Sequence, residues 1–390
     1  MPRAILSLQI LFRLMKCIPH RAGRGGGFGV LAVLTLAAVL GNSVSSLAQG
    51  PKEPPDLTLD AALRSQVIQG AVKALNEHYV FPEVAQQMEK SLRERQQRKE
   101  YENITSAVTL AKVLTEHLQE ISHDKHLRMF YSHSPIPVHE AGRKATAEER
   151  ERQRYMSSLN NFGFEKVERL SGNIGYLDLR GFNPSDFGGE TAAAAMSFLA
   201  NTDALIIDLR KNGGGSPGMV ALLASYLFEA EPVHLNDLYW RRDNSTHQWW
   251  TLPYIPGKRY VGKDVYILTS RRTFSAAEEF TYNLKNLKRA TIIGETTGGG
   301  AHPGGMQRIN DHFGIFVPRG RAINPISKTN WEGTGVTPDI AVPEALALKT
   351  AHLMALKKQW NKNTDERLAD QLQRVIETVQ KELEELKKKS

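Results

Sequence analysis

Cysteine is nearly absent from this sequence of 390 residues, in which Cys17 is the single example. One thiol cannot form an intrachain disulfide, and it cannot build a cysteine metal site. Long apolar runs are missing too, because the most apolar stretch, residues 28–40, is shorter than the roughly 20 residues that cross a bilayer. With 41% hydrophobic and 24% charged residues, the composition excludes a disordered chain, a collagen and a multi-span membrane protein.

Acidic residues are absent from residues 1–48, which carry five basic ones. The whole chain has a formal net charge of +8, and without this leader 45 basic residues face 42 acidic ones, a net charge of +3. A near-neutral chain without a basic stripe does not favour nucleic-acid binding. The excess positive charge belongs to the leader.

Residues 1–48 have the order of a secretory signal peptide. A basic stretch precedes the apolar run 28–40, and Ser46-Leu47-Ala48 places small side chains where a signal peptidase reads them. We expect cleavage near Ala48-Gln49 and an exported protein, periplasmic or extracellular. An uncleaved leader that anchors the chain in a membrane stays open as the alternative. A lipid anchor is not expected, because no cysteine follows the apolar run.

Composition divides the rest of the chain. Residues 49–58 are rich in proline and polar groups, which predicts a linker. Apolar residues then recur at helical spacing, which predicts a helical N-terminal domain of three or four helices over 59–132. A charge-dense run predicts a solvated linker helix within 133–160, and residues 346–390 predict a solvated helical tail. The remaining segment, 161–345, is the candidate catalytic domain.

Within this segment, short β-rich runs alternate with longer helical runs. The alternation predicts βαβ units and a largely parallel sheet, an α/β fold with crevices at the strand ends. The predicted strands are 174–179, 204–209, 265–269, 290–294 and 314–317, and the predicted helices are 191–200, 217–228 and 275–287.

A glycine-rich segment, Asp208-Leu-Arg-Lys-Asn-Gly-Gly-Gly-Ser-Pro-Gly218, follows the second of these strands. Consecutive glycines let a backbone approach a ligand and turn its N–H groups towards an oxygen. A flexible turn with Pro217 in the first helical turn is equally compatible. The spacing G-x-G-x-x-G also occurs here, but charged residues separate it from the strand and another strand–helix unit comes earlier. We therefore expect no nucleotide cofactor.

A serine begins the last of the predicted helices in the segment Thr273-Phe-Ser-Ala-Ala-Glu-Glu-Phe280. Ser275 and Glu278 fit a capping box, in which the hydroxyl only satisfies an orphan backbone N–H. A nucleophile needs the same address, since a helix start exposes the hydroxyl and offers the next N–H to an oxyanion.

Two histidines and one acid complete the candidates. His123 and His126 lie three residues apart at the end of the helical domain, compatible with a general base, half of a metal site or exposed loop residues. No metal is expected, because no third clear ligand lies nearby. Glu332 lies in a glycine- and proline-rich turn, where an acid is by default solvated. Serine, histidine, acid and a glycine loop together are the components of acyl transfer.

These segments, in this order, resemble peptidase family S41, the carboxyl-terminal-processing and tricorn-core serine proteases, and in particular the branch named for interphotoreceptor retinoid-binding protein. The resemblance covers about residues 59–345. It rests most on Asp-Leu-Arg-x-Asn-x-Gly-Gly and Ser-Ala-Ala-Glu-Glu. It implies a crotonase-like core of spiralling β-α units with a small helical N-terminal domain.

By position, the resemblance makes Ser275 the nucleophile and places Gly214, Gly215 and the N–H of Ala276 at the oxyanion hole. Processing proteases carry a lysine base where this chain has Gly300, which disfavours a Ser-Lys dyad. The chain also lacks room between residues 130 and 172 for the PDZ domain with which those proteases select substrates.

The tricorn-like arrangement uses instead a histidine from the preceding domain and a later glutamate. His126 matches the histidine and Glu332 the glutamate, which would hold the imidazole through an intervening group. His302 is the reserve candidate for the base. With an acid partner raising the pKa of His126 somewhat, activity should rise with pH through one ionisation near neutrality.

The sequence therefore predicts an exported serine peptidase of Ser-His-Glu type that forms an acyl-enzyme and needs no metal, nucleotide or other cofactor. Its partner is a peptide or protein substrate. The alternative is a non-catalytic binding protein for an apolar ligand or peptide on the same fold.

Overall fold

A computed structural model describes residues 56–138, 143 and 145–389. The predicted signal peptide, its cleavage site and most of the predicted linker lie outside these residues. The domain boundaries drawn from the sequence stay predictions. In the described part of the chain, no helix combines the length and the apolar character that a membrane crossing requires.

The N-terminal region consists of helices α1 (Ala61–His78), α2 (Pro82–Gln97) and α3 (Ala107–Ser122). Asp60 and Ser106 cap α1 and α3 by accepting a backbone N–H, as short polar side chains do at helix starts. The sequence predicts three or four helices, and the described residues of this region form three. Their apolar faces share one core with strand β10 (Phe313–Pro318), which fixes the helical region to the later part of the chain.

The central sheet has six strands in the order β12-β8-β7-β4-β3-β2. Neighbours pair in parallel except β2 with β3, which are antiparallel. The strands are β2 (Phe164–Leu170), β3 (Ile174–Leu179), β4 (Ala204–Asp208), β7 (Asp264–Thr269), β8 (Thr291–Gly294) and β12 (Ile340–Ala341). The predicted parallel strands are confirmed, with bounds that differ by at most one residue.

Two three-stranded sheets, both antiparallel, flank this core, in the orders β1-β10-β9 and β11-β5-β6. The sequence predicted only β10 among their strands. Glycine, polar and aromatic residues together make up most of the others, so no apolar run marks them. They are β1 (Arg128–Tyr131), β5 (His234–Trp240), β6 (Ser245–Trp250), β9 (Gly304–Arg308) and β11 (Gly320–Ile323).

Further helices follow the N-terminal region, and the predicted helical segments are confirmed with shifted ends. They are α4 (Ala147–Ser158), α5 (Ser185–Leu199), α6 (Pro217–Ser225), α7 (Ala276–Asn286), α8 (Glu344–Lys362) and α9 (Glu366–Lys387). The prediction of a solvated tail is wrong for α9, because Leu372, Ile376 and Val379 recur at helical spacing and are buried in one core with the sheet and α8.

The order of the strands positions the site. Strands β4, β7 and β8 are parallel neighbours, so the loops that follow them leave the same edge of the sheet. These loops carry the glycine-rich segment, Ser275 and Gly300 respectively.

Candidate active site

Ser275 lies between strand β7 and helix α7 in a strained backbone conformation. Its φ is +56° and its ψ is −123°, a region that residues with a side chain rarely adopt and that costs about 1–3 kcal/mol. Neighbouring contacts hold it there. The N–H of Ser275 donates to Oε2 of Glu278 at 2.9 Å, and the N–H of Phe274 donates to the carbonyl of Asn212 at 3.0 Å.

Glu278 ties Ser275 to the loop that follows β8. Its buried carboxylate also accepts the hydroxyl of Thr297 at 2.5 Å and the N–H groups of Gly299 and Gly300 at 2.6 and 2.8 Å. Burial raises the pKa of Glu278, and these hydrogen bonds act in the opposite direction. Glu278, the acid of the predicted capping box, therefore binds the loop after β8 as well as the start of α7.

The glycine-rich loop packs directly against Ser275. A Cβ on Gly214, which has φ +109°, would lie 2.7 Å from Cβ of Ser275 and 2.9 Å from N of Ala276, so only glycine fits. The N–H of Gly214 donates to Oδ1 of Asn212 at 2.9 Å, which removes it from the predicted oxyanion donors. Among the described residues the N–H groups of Gly215 and Ala276 have no such partner, and both residues line one cavity with Ser275.

His126 lies in the same cavity wall as Ser275, whereas His123 is exposed and ends helix α3 in a left-handed conformation. The N–H of His126 donates to Oδ1 of Asp124 at 3.0 Å, and its ring packs on Phe274 with 4.6 Å between ring centroids. A Cβ on Gly300 would lie 2.8 Å from Cε1 of His126 and 2.3 Å from the Phe274 ring. The glycine thus leaves to His126 the space that a side chain at 300 would take.

Burial lowers the pKa of His126 to about 4, although Asp124 acts in the opposite direction. The expectation of a raised pKa is therefore wrong, because the loss of hydration outweighs the neighbouring negative charge. Nδ1 of His126 is buried and has no hydrogen-bond partner in the part of the chain that the structure describes.

Glu332 contacts Ala301 and His302. Its Oε2 accepts the N–H of Ala301 at 2.5 Å and lies 3.4 Å from Nδ1 of His302. That nitrogen is 2.8 Å from Oδ2 of Asp124. Burial and the neighbouring Asp124 together raise the pKa of Glu332 to about 7, although His302 acts in the opposite direction. Oε1 of Glu332, like Nδ1 of His126, is buried without a partner among the described residues.

Sequence reasoning missed Asp124 and kept His302 only in reserve. The signal was present, because Asp124 stands two residues before His126 in the same turn. Ligand atoms of Asp124, His302 and Glu332 all lie within 4.8 Å of one another, close enough to hold one cation. In the structure these atoms instead form contacts with each other, and the phenol of Tyr79 lies 3.3 Å from Oδ2 of Asp124.

A cavity of about 340 Å³ adjoins Ser275. Ala276, Gly215 and His126 line it together with Ser275. Glu279 and three indole rings, from the β11-β5-β6 sheet and a later turn, also line it: Trp240, Trp249 and Trp331. The arrangement places a hydroxyl, a neutral imidazole and two N–H donors around one cavity, which suits attack on a carbonyl.

Two family models match the chain. Residues 173–342 match Peptidase family S41, and residues 57–161 match the N-terminal domain of Peptidase_S41 in eukaryotic IRBP. Among curated proteins, carboxyl-terminal-processing peptidase 2, chloroplastic, of Arabidopsis thaliana is 28% identical over 178 residues, which are 45% of this chain and 33% of that protein. The match thus spans about a third of the relative's length.

Solved structures share the fold at low identity. A putative peptidase from Parabacteroides merdae ATCC 43184 has a TM-score of 0.53 and 17% identity, with 75% of this chain and 96% of that chain covered. Mature CPAF complexed with lactacystin has a TM-score of 0.50 and 12% identity, with 83% and 100% covered. The predicted fold class, an α/β core with a helical N-terminal region, is confirmed.

Proposed function

Because this chain belongs to peptidase family S41, we propose that it is a serine peptidase of Ser-His-Glu type. Ser275 is the nucleophile, His126 the general base, and the N–H groups of Gly215 and Ala276 form the oxyanion hole. The observation that carries the proposal is the strained Ser275 at the start of α7, in one cavity wall with His126 and both donors. The substrate is a peptide or protein.

Catalysis begins when Oγ of Ser275 attacks the scissile carbonyl and its proton passes to His126. Nδ1 is the buried nitrogen, so Nε2 takes the proton. The negative charge on the carbonyl oxygen is stabilised by the two N–H donors. His126 then protonates the leaving amine, the C–N bond breaks, and an ester remains on Ser275. A water molecule, deprotonated by the same imidazole, hydrolyses this acyl-enzyme and restores the hydroxyl.

Glu332 supports the charged imidazole through a bridging water. Gly300 lies against His126 and the adjacent Ala301 N–H binds Glu332, so consecutive residues bring the two side chains close. A water between Nδ1 of His126 and Oε1 of Glu332 would satisfy both of these buried atoms, as buried polar groups generally require. This water would be the intervening group through which the resemblance implies that Glu332 holds the imidazole.

A lysine base is disfavoured by the packing around Gly300. Lys125 is a lysine that contacts the loop after β8. Its side chain is exposed, and its Nζ donates to the carbonyl of Gly298 at 2.5 Å. Lys125 is not among the residues that line the cavity with Ser275, so its amine is not placed to take the proton of the serine. Lys125→Met is therefore a suitable control variant.

A non-catalytic carrier of an apolar ligand is the second candidate, and the three tryptophans in the cavity favour it. Reaction with a fluorophosphonate probe separates the two. Labelling of wild-type protein at Ser275, absent in Ser275→Ala and retained in Lys125→Met, supports the hydrolase. No labelling of the folded wild-type protein, together with binding of an apolar fluorophore, supports the carrier.

Export is part of the same proposal and rests on the sequence of residues 1–48. Expression with the complete leader in a bacterial host, followed by N-terminal sequencing of the fractionated protein, tests it. Cleavage near Ala48-Gln49 supports an exported protein. An intact leader in the membrane fraction supports the anchor, and an intact leader in the soluble cytoplasmic fraction contradicts export.

A further inference from the structure

Glu279 is a buried acid that the proposed mechanism does not use. It lies one helical turn after Ser275 on α7, is 4% exposed and lines the same cavity. Its Oε1 is buried without a hydrogen-bond partner among the described residues. Burial raises the pKa of Glu279 to about 7, and the opposing contribution comes from the neutral amide of Asn236, not from a cation.

Glu278, the neighbour of Glu279 in sequence, shows that a buried acid at the start of α7 does not always lack hydrogen-bond donors. Glu278 is equally buried, yet four donors surround its carboxylate. A buried carboxylate without such donors is costly, because it has lost its hydration and gained nothing in return. Glu279 is thus supplied with too few partners by the protein itself.

Other buried polar groups near Glu279 also lack partners in the described structure. Asn236, whose amide lowers the pKa of Glu279, is fully buried, and the indole N–H groups of Trp240 and Trp249 are buried without a partner. Trp240, Trp249 and Trp331 form aromatic walls of the cavity. Among the described residues that line it there is no lysine or arginine, and Glu279 is the single acid.

We propose that Glu279 determines substrate specificity by binding the cationic side chain of a lysine or arginine at P1, the residue whose carbonyl Ser275 attacks. The inference rests on the proposed function and names the substrate class of that site. The substrate cation provides the positively charged partner that the protein does not give to Glu279. The aliphatic part of the substrate side chain lies along the tryptophans, whose ring faces attract cations.

The shared lining of the cavity supports the assignment of this pocket to P1. Ser275, Gly215 and Ala276 line the same cavity as Glu279. A P1 side chain that enters this cavity beside the attacked carbonyl therefore shares it with Glu279. A volume of about 340 Å³ lies within the roughly 300–1,000 Å³ of small-molecule pockets.

Two peptidyl diphenyl phosphonates that differ only in the P1 side chain, lysine against norleucine, test the proposal by their rates of Ser275 labelling. The lysine probe should label wild-type protein at least tenfold faster. Glu279→Gln should reduce this ratio to near one, through loss of the lysine rate. Glu231→Gln, which removes an exposed acid outside the cavity, should keep the ratio.

The outcomes separate the two proposals. Equal rates for both probes on wild-type protein, or a ratio that survives Glu279→Gln, would overturn the role of Glu279 while leaving the nucleophile in place. No labelling by either probe or by a plain fluorophosphonate would overturn the proposed function.

The pocket has its own readout in Ser275→Ala protein, titrated with n-butylamine and n-butanol. We expect the amine to bind at least tenfold more tightly than the alcohol, and Glu279→Gln in the same background to abolish the difference. Equal binding of both compounds by a folded protein would contradict a cation site even if the chemistry failed.

Discussion

Glu332→Gln tests whether the ionisation of Glu332 controls the base. The pKa of Glu332 is raised by burial to about 7, and that of His126 is lowered by burial to about 4. In the neutral range the histidine is therefore already deprotonated, and the group that changes charge is the glutamate. We therefore expect the activity limb near neutrality to report the ionisation of Glu332 rather than that of His126.

The magnitude follows from these values. With a pKa of about 7, roughly one tenth of Glu332 is ionised at pH 6, so kcat/KM should fall about tenfold for each pH unit below 7. In Glu332→Gln the carbonyl oxygen cannot supply a negative charge to the imidazolium. We expect kcat/KM above pH 8 to fall by about 10²-fold, within the range for general-base assistance, and the limb near pH 7 to disappear.

The raised pKa of Glu332 should also make the free energy of unfolding depend on pH. A raised carboxyl pKa means that the folded protein binds the proton more tightly, so unfolding free energy is lost as pH rises from about 4.5 to 7. The difference between 4.5 and about 7 corresponds to at most about 3 kcal/mol. Glu332→Gln lacks this loss, so its stability relative to wild type should increase over that range in urea unfolding.

The assay is kcat/KM against pH from 4 to 10 with one peptide substrate, alongside urea unfolding at pH 5 and pH 8 for both proteins. A limb near pH 7 that persists unchanged in folded Glu332→Gln would show that another group titrates there. Unfolding free energies that differ between the proteins by the same amount at both pH values would refute the raised pKa.

Further substitutions test the remaining assignments. Ser275→Ala should keep the fold, seen by circular dichroism, and reduce hydrolysis to background; retained turnover would exclude the nucleophile. His126→Ala should slow fluorophosphonate labelling by about 10²–10⁴-fold, whereas His123→Ala should keep most of it, and the reverse result would move the base by three residues. Gly300→Ala should cost about 1–3 kcal/mol in urea unfolding and slow labelling, because its Cβ would lie 2.3 Å from the Phe274 ring; normal stability and labelling would contradict the packing argument.

The sequence alone determined the central architecture and the nucleophile candidate, because both are local patterns. Apolar runs such as 174–179 and 204–209 predict buried parallel strands, and helical periodicity predicts the three helices before them. The capping signal at Ser275 predicts the start of α7. Strands of the flanking sheets carry no comparable signal, since glycine, polar and aromatic residues interrupt their apolar residues and leave no apolar run.

The tertiary structure alone decided which groups meet. Three loops converge because β4, β7 and β8 are adjacent in the sheet, an order that no local pattern contains. Only then is it visible that Asn212 occupies the N–H of Gly214 and that Asp124 and His302 contact each other near Glu332. Burial, which depends on the whole fold, lowers the pKa of His126 where the sequence predicts a raised one and raises the pKa of Glu332. It also leaves Oε1 of Glu279 without a partner among the described residues.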